Sequence, residues 1–133
     1  MMAITGFDHV AIPIERVDDM LVFYERLGFT VKRSSASRFS AHFGDNKINF
    51  HGPDAWRSEQ FTLRGPTAQP GCGDFCFVWN GTGDSLIEFL ERLAIPILEG
   101  PVTRSGGRAG GMMGESIYFR DPDQNLLEFI IYK

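Results

Sequence analysis

The strongest constraint on how this 133-residue chain can fold is a repeat within it. The run FYERL begins at Phe23 and the similar run FLERL begins at Phe89, an offset of 66 residues or about half the chain. Around both runs the hydrophobic pattern predicts the same order of elements, a strand, a helix and three further strands. We therefore interpret the chain as two copies of a β-α-β-β-β module.

The first module is expected at about 6–62 and the second at about 72–133, within one domain, with a Pro- and Gly-rich linker at 64–71. In the first module the patterns predict a strand at 7–14, a helix at 18–28 and strands at 29–35, 38–44 and 47–51. Asp45–Asn46 is expected to form the turn between the last two of these strands. In the second module they predict a strand at 73–79, a helix at 84–94 and strands at 95–100, 115–120 and 125–132.

One helix for every four strands indicates the fold class. This ratio favours an α+β fold with antiparallel strand pairing and with the helices on a single face of the sheet. The two βαβββ modules are then expected to form a cupped mixed β-sheet whose inner faces line a cleft. The functional residues should lie on those inner faces.

The composition argues against several classes of protein. A formal net charge of -4 and a pI near 5.3 leave no basic surface for nucleic acid. No apolar run approaches the roughly 20 residues of a membrane helix, and the N-terminus does not resemble a signal peptide. We expect a cytoplasmic protein in which Cys72 and Cys76 are reduced thiols.

Strand alternation predicts which side chains point into the cleft. In the strand at 73–79, Phe75, Phe77 and Trp79 share one face, and such large aromatics belong against the helix. Asp74 would then face the cleft. The same argument turns His9 to the cleft, so that His9 and Asp74 occupy matching places, whereas the constant offset of the helices would pair His9 with Phe75.

A carboxylate stands in the middle of the apolar last strand. Glu128 is flanked by Leu, Phe and Ile, and burying a charge there costs several kcal/mol unless a partner meets it. Aligning 47–50 on 126–129 places Asn49 opposite Glu128, and His51 follows on the same face. The cleft would then gather donors of the N/O type that borderline or hard divalent metals prefer: His9, Asn49, His51, Asp74 and Glu128.

Each of these residues also has a simpler interpretation. Glu128 could be an edge carboxylate paired with Arg38 or Arg120. His9 could be a core histidine with its hydrogen bonds satisfied, and Asp74 could cap or pair locally. His51 could line the cleft as a hydrogen-bonding residue rather than a metal ligand.

Three stretches resemble the vicinal oxygen chelate superfamily, which includes glyoxalase I, bleomycin-resistance proteins, fosfomycin-resistance enzymes and extradiol dioxygenases. They are 8-DHVAI-12, 23-FYERLGF-29 and 118-YFRDPDQNLLEF-129. The resemblance implies that His9 and Glu128 fall on metal-ligand positions. The stretches 47-KINFH-51 and 100-GPVTRSG-106 are similar to a subgroup of glyoxalase-domain proteins.

The candidate ligands depart from the pattern that the resemblance to glyoxalase I implies. That pattern has four metal ligands, His, Glu, His and Glu, one from each of four strands. Here Asn49 stands where the first glutamate is expected and Asp74 where the second histidine is expected. A neutral amide is a poor ligand for a transition metal and cannot move a proton as a glutamate does. Glyoxalase I activity itself is therefore not expected, and His51 is an alternative ligand.

Two further segments are candidates for substrate contacts. The stretch 104–114 contains five glycines and two arginines but lacks the ending of a phosphate loop. It is expected to be either a flexible surface loop or a lid in which Arg104 or Arg108 binds a substrate carboxylate or phosphate and Met113 adds an apolar contact. Trp56 is either a cleft wall or a partly packed loop aromatic.

The resemblance and the residues together favour a metal-dependent enzyme of the glyoxalase or dioxygenase type. A divalent ion (Zn, Ni, Mn or Fe) would be bound by His9, Glu128 and either Asp74 or His51, with Glu128 also as the catalytic residue. The expected substrate-binding residues are Asn49, Arg104, Arg108, Trp56 and Met113. The alternative is a metal-free binding protein similar to the bleomycin-resistance proteins, and either is expected to form a homodimer and bind a small molecule.

Overall fold

Each of the two repeats contains its own four-stranded mixed sheet. The computed structural model describes residues 2–133, in which the chain up to Cys72 forms one unit, unit 1, and Gly73–Lys133 forms another, unit 2. Within that described range no helix is both long and apolar enough to cross a membrane.

Unit 1 follows the predicted order and adds a short second helix. Its elements are β1 (His9–Pro13), α1 (Val17–Leu27), β2 (Thr30–Arg33), β3 (Arg38–Phe43), β4 (Asn46–His51) and α2 (Pro53–Trp56). The strand order is β1-β4-β3-β2, with β1 parallel to β4 and the other pairs antiparallel. Helix α1 ends, as predicted, at Gly28, which adopts a left-handed conformation.

The turn between β3 and β4 corrects one expectation. Phe43 pairs with Asn46, so the two turn residues are Gly44 and Asp45 rather than Asp45 and Asn46. Gly44 has a φ of 52°, a conformation that glycine adopts without steric cost. The glycine therefore determines where the hairpin turns.

Unit 2 repeats the topology with one long hairpin. Its elements are β5 (Asp74–Val78), α3 (Gly83–Arg92), β6 (Glu99–Ser105), a short 3-10 helix (Arg108–Gly110), β7 (Met113–Arg120) and β8 (Leu126–Ile131). The strand order is β5-β8-β7-β6, with β5 parallel to β8. The predicted strand at 95–100 is wrong in its bounds, because β6 extends to Ser105 by pairing with β7.

One face of each sheet packs against the helix of the same unit. In unit 1, Tyr24 of α1 is fully buried and its ring lies 5.2 Å from that of Phe50 on β4. In unit 2, the ring of Phe89 on α3 lies 5.1 Å from that of Trp79, and Leu86 and Leu90 are fully buried. Each such large apolar side chain contributes about 1.5–3 kcal/mol.

The strand register confirms how the two repeats align. The parallel pairs are His9 with Lys47 and Ala11 with Asn49 in unit 1, and Asp74 with Leu126 and Cys76 with Glu128 in unit 2. When Asn49 is aligned on Glu128, His9 therefore falls on Asp74. The assignment from strand faces is confirmed, and the alternative pairing of His9 with Phe75 is wrong, because the chain between strand and helix differs in length.

Gly100 in β6 offers a test of how tightly unit 2 is built. Its φ is +117°, and a Cβ there would lie 2.4 Å from the carbonyl oxygen of Ser116. We expect Gly100→Ala to lower the free energy of unfolding by about 2–4 kcal/mol, because backbone strain and a clash with a neighbouring strand add together. Urea denaturation followed by circular dichroism measures the change.

Gly107→Ala is the matched control for that substitution. Gly107 lies in the same hairpin with a φ of -86° and has open space around its Cβ position. Its replacement should change stability by no more than about 0.5 kcal/mol. Similar losses of unfolding free energy for both variants would contradict the claim that strain and a clash at Gly100 cause the effect.

Candidate functional site

In each unit, the sheet face turned away from the helix carries most of the polar side chains of the strands. We call these the polar faces. The polar face of unit 1 contains His9, Lys32, Arg38, Ser40, His42, Lys47, Asn49 and His51, and that of unit 2 contains Asp74, Cys76, Arg104, Ser116, Tyr118 and Glu128. All the charged or polar strand residues that the sequence pattern selected lie on one of them.

His9 begins β1 and is exposed rather than part of the core. The carboxylate of Asp8 accepts a hydrogen bond from its Nδ1 over 2.6 Å. This bond, the charge of His9 and, last, the charge of Lys47 lower the pKa of Asp8. The contact orients the imidazole and leaves Nε2 as its free nitrogen, which is the arrangement in which protein histidines bind metals.

Glu128 lies half-buried in β8 between β5 and β7. Its Oε2 accepts a hydrogen bond of 2.5 Å from the hydroxyl of Ser116, a fully buried residue. No salt bridge within residues 2–133 includes Glu128. Of the two arginines considered as partners, Arg38 stacks over Phe61 and Arg120 donates to the carbonyl of Gln124.

Cys76 is the nearest neighbour of Glu128 across the strand pair, and sequence reasoning did not select it. Desolvation of its thiol, the charge and hydrogen bond of Glu128, and the charge of Asp74 raise the pKa of Cys76 to about 12. The thiol is therefore neutral at physiological pH and is not a thiolate ligand. Its placement beside Asp74 in the alternating strand was a signal that could have identified it.

A cavity of about 380 Å³ opens beside Glu128. Its lining includes Cys76, Glu128, Tyr132 and the loop from Ser105 to Arg108. The guanidinium carbon of Arg108 lies 4.2 Å from the centre of the Tyr132 ring. The glycine-rich hairpin loop thus brings one of its two arginines to the same cavity as the candidate catalytic carboxylate.

The other residues of the predicted lid are placed differently. Arg104 lies in β6, where its Nε donates to the hydroxyl of Tyr118 over 3.0 Å and its Nη1 donates to the carbonyl of Thr103. Met113 begins β7 and is 57% exposed. Both belong to the paired hairpin rather than to a flexible loop.

Trp56 lies in α2 and makes a structural hydrogen bond. Its Nε1 donates to the carbonyl oxygen of Ile14 over 2.9 Å, and Arg57 lies over its ring at 5.0 Å. Arg57 also forms a salt bridge with Glu15. These contacts support the packed-aromatic interpretation of Trp56 over the cleft-wall interpretation.

His51 ends β4 among cationic neighbours. Its ring meets that of Phe61 edge-on at 4.9 Å, and Arg38, its partner across the strand pair, stacks over the same Phe61 at 4.6 Å. Burial and the charges of Arg38 and Arg64 lower the pKa of His51. The imidazole is neutral near pH 7, but two guanidinium groups repel a metal ion there.

The donor groups fit a divalent metal at some positions and not at others. Within either unit of the described chain, no three His, Cys, Asp or Glu side chains are grouped so that they could hold an ion. The free Nε2 of His9 and the Oε1 of Glu128 are suitable N and O donors, and Asp74 adds a carboxylate two residues before Cys76. Asn49 is neutral, and the surroundings of His51 disfavour a cation.

Comparisons with known proteins agree over nearly the whole chain. The model of the Glyoxalase/Bleomycin resistance protein/Dioxygenase superfamily matches residues 6–129. Glyoxalase domain-containing protein RDO1 of Mycosarcoma maydis is 34% identical over 132 residues, which cover 99% of this chain and 71% of that protein.

Solved structures give the same result. The crystal structure of Virulence protein STM3117 from Salmonella typhimurium is 33% identical and superposes with a TM-score of 0.85, covering 99% of this chain and 100% of that one. Lactoylglutathione lyase from Agrobacterium tumefaciens is 20% identical with a TM-score of 0.71, covering 96% and 93% of the two chains. At that identity the likeness concerns the fold alone.

Proposed function

This chain belongs to the glyoxalase/bleomycin resistance protein/dioxygenase superfamily, and from that premise we propose that it is a divalent-metal-dependent enzyme acting on a small oxygen-chelating substrate. The observation that carries the proposal is Glu128, a carboxylate in an apolar strand that no cation of the described chain pairs. An unpaired carboxylate there costs stability. Its retention is explained if it binds an ion or moves a proton.

His9 and Glu128 are the residues that would hold the ion, with Asp74 as a further donor. Placing His9 and Glu128 in one site is part of the proposal and rests on the family resemblance. The bound ion would supply Lewis-acid stabilisation of negative charge on a substrate oxygen. We do not assign glyoxalase I activity, because Asn49 replaces one of the expected glutamates.

The chain's own groups prepare Glu128 for this role. The hydroxyl of Ser116 donates to Oε2 and fixes the carboxylate, so that Oε1 is the oxygen left for an ion or a proton. Burial and the negative charge of Glu128 raise the pKa of Cys76, so the residue opposite Glu128 on the neighbouring strand is a neutral thiol and not a competing anion. Arg108, at the same cavity, is positioned to bind an anionic part of the substrate.

The test is metal binding by purified protein, measured by elemental analysis and by the shift in melting temperature on adding Zn²⁺, Ni²⁺, Mn²⁺ or Fe²⁺. We expect His9→Ala and Glu128→Gln each to weaken binding of the preferred ion by at least about tenfold. Glu128→Gln retains an acceptor for Ser116, so a lost response is not a loss of folding. His42→Ala is the control, because His42 bonds to Ser40 on the same face.

A metal content that neither substitution changes would overturn the proposal. The second candidate, a metal-free binding protein, is favoured by the absence of a three-ligand group within either unit of the described chain. In that case a small aromatic or cationic compound should raise the melting temperature equally well in excess chelator. Homodimer formation, which the resemblance implies, stays a prediction.

A further inference from the structure

A second cavity, on the polar face of unit 1, has a chemistry that the metal proposal does not use. It has a volume of about 150 Å³, enough for roughly five waters or one small ionic group. Its polar lining comes from three strands or strand ends: Ser34, Arg38, Ser40, Lys47, Asn49 and His51. We call it the basic cavity.

The charges of the basic cavity are positive and not neutralised by salt bridges. Neither Arg38 nor Lys47 forms a salt bridge within residues 2–133, and no Asp or Glu lines the cavity. The charge of Lys47 is the smallest of the causes that lower the pKa of Asp8, whose carboxylate bonds to His9 instead. Two cations that face a small cavity without counter-charges create a potential that attracts an anion.

The basic cavity is also preorganised. Arg38 is held over the ring of Phe61 at 4.6 Å, and the same ring contacts His51. A stacked guanidinium loses little further freedom on binding and presents its planar donors to a carboxylate or phosphate. Asn49 lies between Lys47 and His51 on one strand face, and Arg38 is the partner of His51 on the next strand. Asn49 therefore offers a neutral amide donor between the cations Lys47 and Arg38.

We propose that the basic cavity binds the carboxylate or phosphate group of a small-molecule ligand, with Arg38 and Lys47 as charged donors and Asn49 as a neutral one. This assignment deepens the proposed function by adding, in unit 1, a second site for an anionic group of the substrate besides Arg108. It rests on the proposed function only in calling the ligand a substrate. The anion site itself lies within unit 1 and requires neither a metal nor Glu128.

The experiment follows the imidazole of His51 by NMR in chelator-treated protein. Burial and then the charges of Arg38 and Arg64 lower the pKa of His51, so an anion bound beside the two guanidinium groups offsets their part and raises that pKa. Inorganic phosphate and acetate are titrated at constant ionic strength. A saturable upward shift with either ion supports the proposal, and a shift no larger than chloride produces overturns it.

Variants separate a built site from general electrostatic attraction. We expect Arg38→Gln and Lys47→Gln each to weaken anion binding by at least about tenfold. Lys32→Gln removes the same charge from the same polar face without lining the cavity, and it should change affinity less than about twofold. Equal losses of anion affinity in Lys32→Gln and Lys47→Gln would overturn the proposal of a specific anion site.

The outcomes also distinguish this inference from the metal proposal. Urea denaturation of each variant tests whether it is folded. Arg38→Lys keeps the charge but loses the planar guanidinium, so we expect it to bind phosphate or acetate with an affinity between those of the wild type and Arg38→Gln. If the anion still binds in chelator and His9→Ala does not change the metal content, only the metal proposal is overturned. If the protein binds metal but phosphate and acetate cause no saturable shift in the pKa of His51, only the proposal of an anion site in the basic cavity is overturned.

Discussion

Replacing Asp121 with alanine is expected to lower the free energy of unfolding by about 3–5 kcal/mol. Asp121 is 2% exposed and begins the turn between β7 and β8. Its Oδ1 accepts hydrogen bonds from the backbone N–H groups of Asp123 and Asn125, and its Oδ2 accepts one from Nδ2 of Asn125. Alanine leaves all three donors without that acceptor.

The effect should spread beyond the turn, because Asn125 is fully buried and its Oδ1 accepts from the backbone N–H of Gly73 over 2.8 Å. Gly73 immediately precedes β5, so the network joins the start of β5 to the turn that sets the register of β8. We expect loss of Asp121 to disturb the strand pair in which Cys76 lies opposite Glu128.

Urea denaturation of Asp121→Ala measures the loss. Asp45→Ala is the control, since Asp45 lies in the corresponding hairpin turn of unit 1 but is exposed. That substitution should cost no more than about 0.5 kcal/mol. A loss below about 1 kcal/mol for Asp121→Ala would show that water replaces the carboxylate, contrary to the burial argument.

The second large effect concerns the reactivity of Cys76. With a pKa of about 12, its thiolate fraction at pH 8 is roughly one in ten thousand, against about a quarter for a free cysteine with a pKa near 8.5. We expect Cys76 to react with iodoacetamide about a thousandfold more slowly than an ordinary exposed thiol, because the thiolate is the nucleophile. Cys72→Ser provides a background in which only Cys76 is alkylated.

The pH dependence of this reaction gives the direction of the shift. The rate should still rise about tenfold per pH unit between pH 8 and 10, where an ordinary thiol levels off. Glu128→Gln removes a charge that raises the pKa of Cys76, so it should accelerate alkylation at pH 8. The control rate is the alkylation of Cys72, measured in Cys76→Ser. If Cys76, measured in Cys72→Ser, is alkylated at the same rate, the claim of a raised Cys76 pKa is contradicted.

Much of the fold follows from the repeat, because a duplicated hydrophobic pattern specifies the order of elements and their register together. The matching of His9 with Asp74 was predictable from strand faces, and that of Asn49 with Glu128 from the alignment of 47–50 on 126–129. The extent of β6 was not, because its Gly, Pro and Arg residues resemble a loop until β7 pairs with them. Helix α2 had one local signal, Pro53 at its first position.

The candidate site was predictable to the level of faces but not of contacts. Alternation places a side chain above or below a sheet, yet rotamers and partners depend on neighbouring strands that are far away in sequence. The bond from Ser116 to Glu128 and the bond from Trp56 to Ile14 are of this kind. Local charge around His51 likewise arises from Arg38 and Arg64, which are 13 positions away on either side.

The shared register of the two sheets has a consequence for how the copies have diverged. At matching positions, unit 1 carries His9, Asn49 and Arg38 where unit 2 carries Asp74, Glu128 and Ser116. Every one of these exchanges makes the first copy more basic or the second more acidic, on strands that pair in the same register. The two copies of one sheet therefore differ in the charge of their polar faces. Substitutions on one polar face can change which ligands it binds without altering the strand pairing of the other sheet.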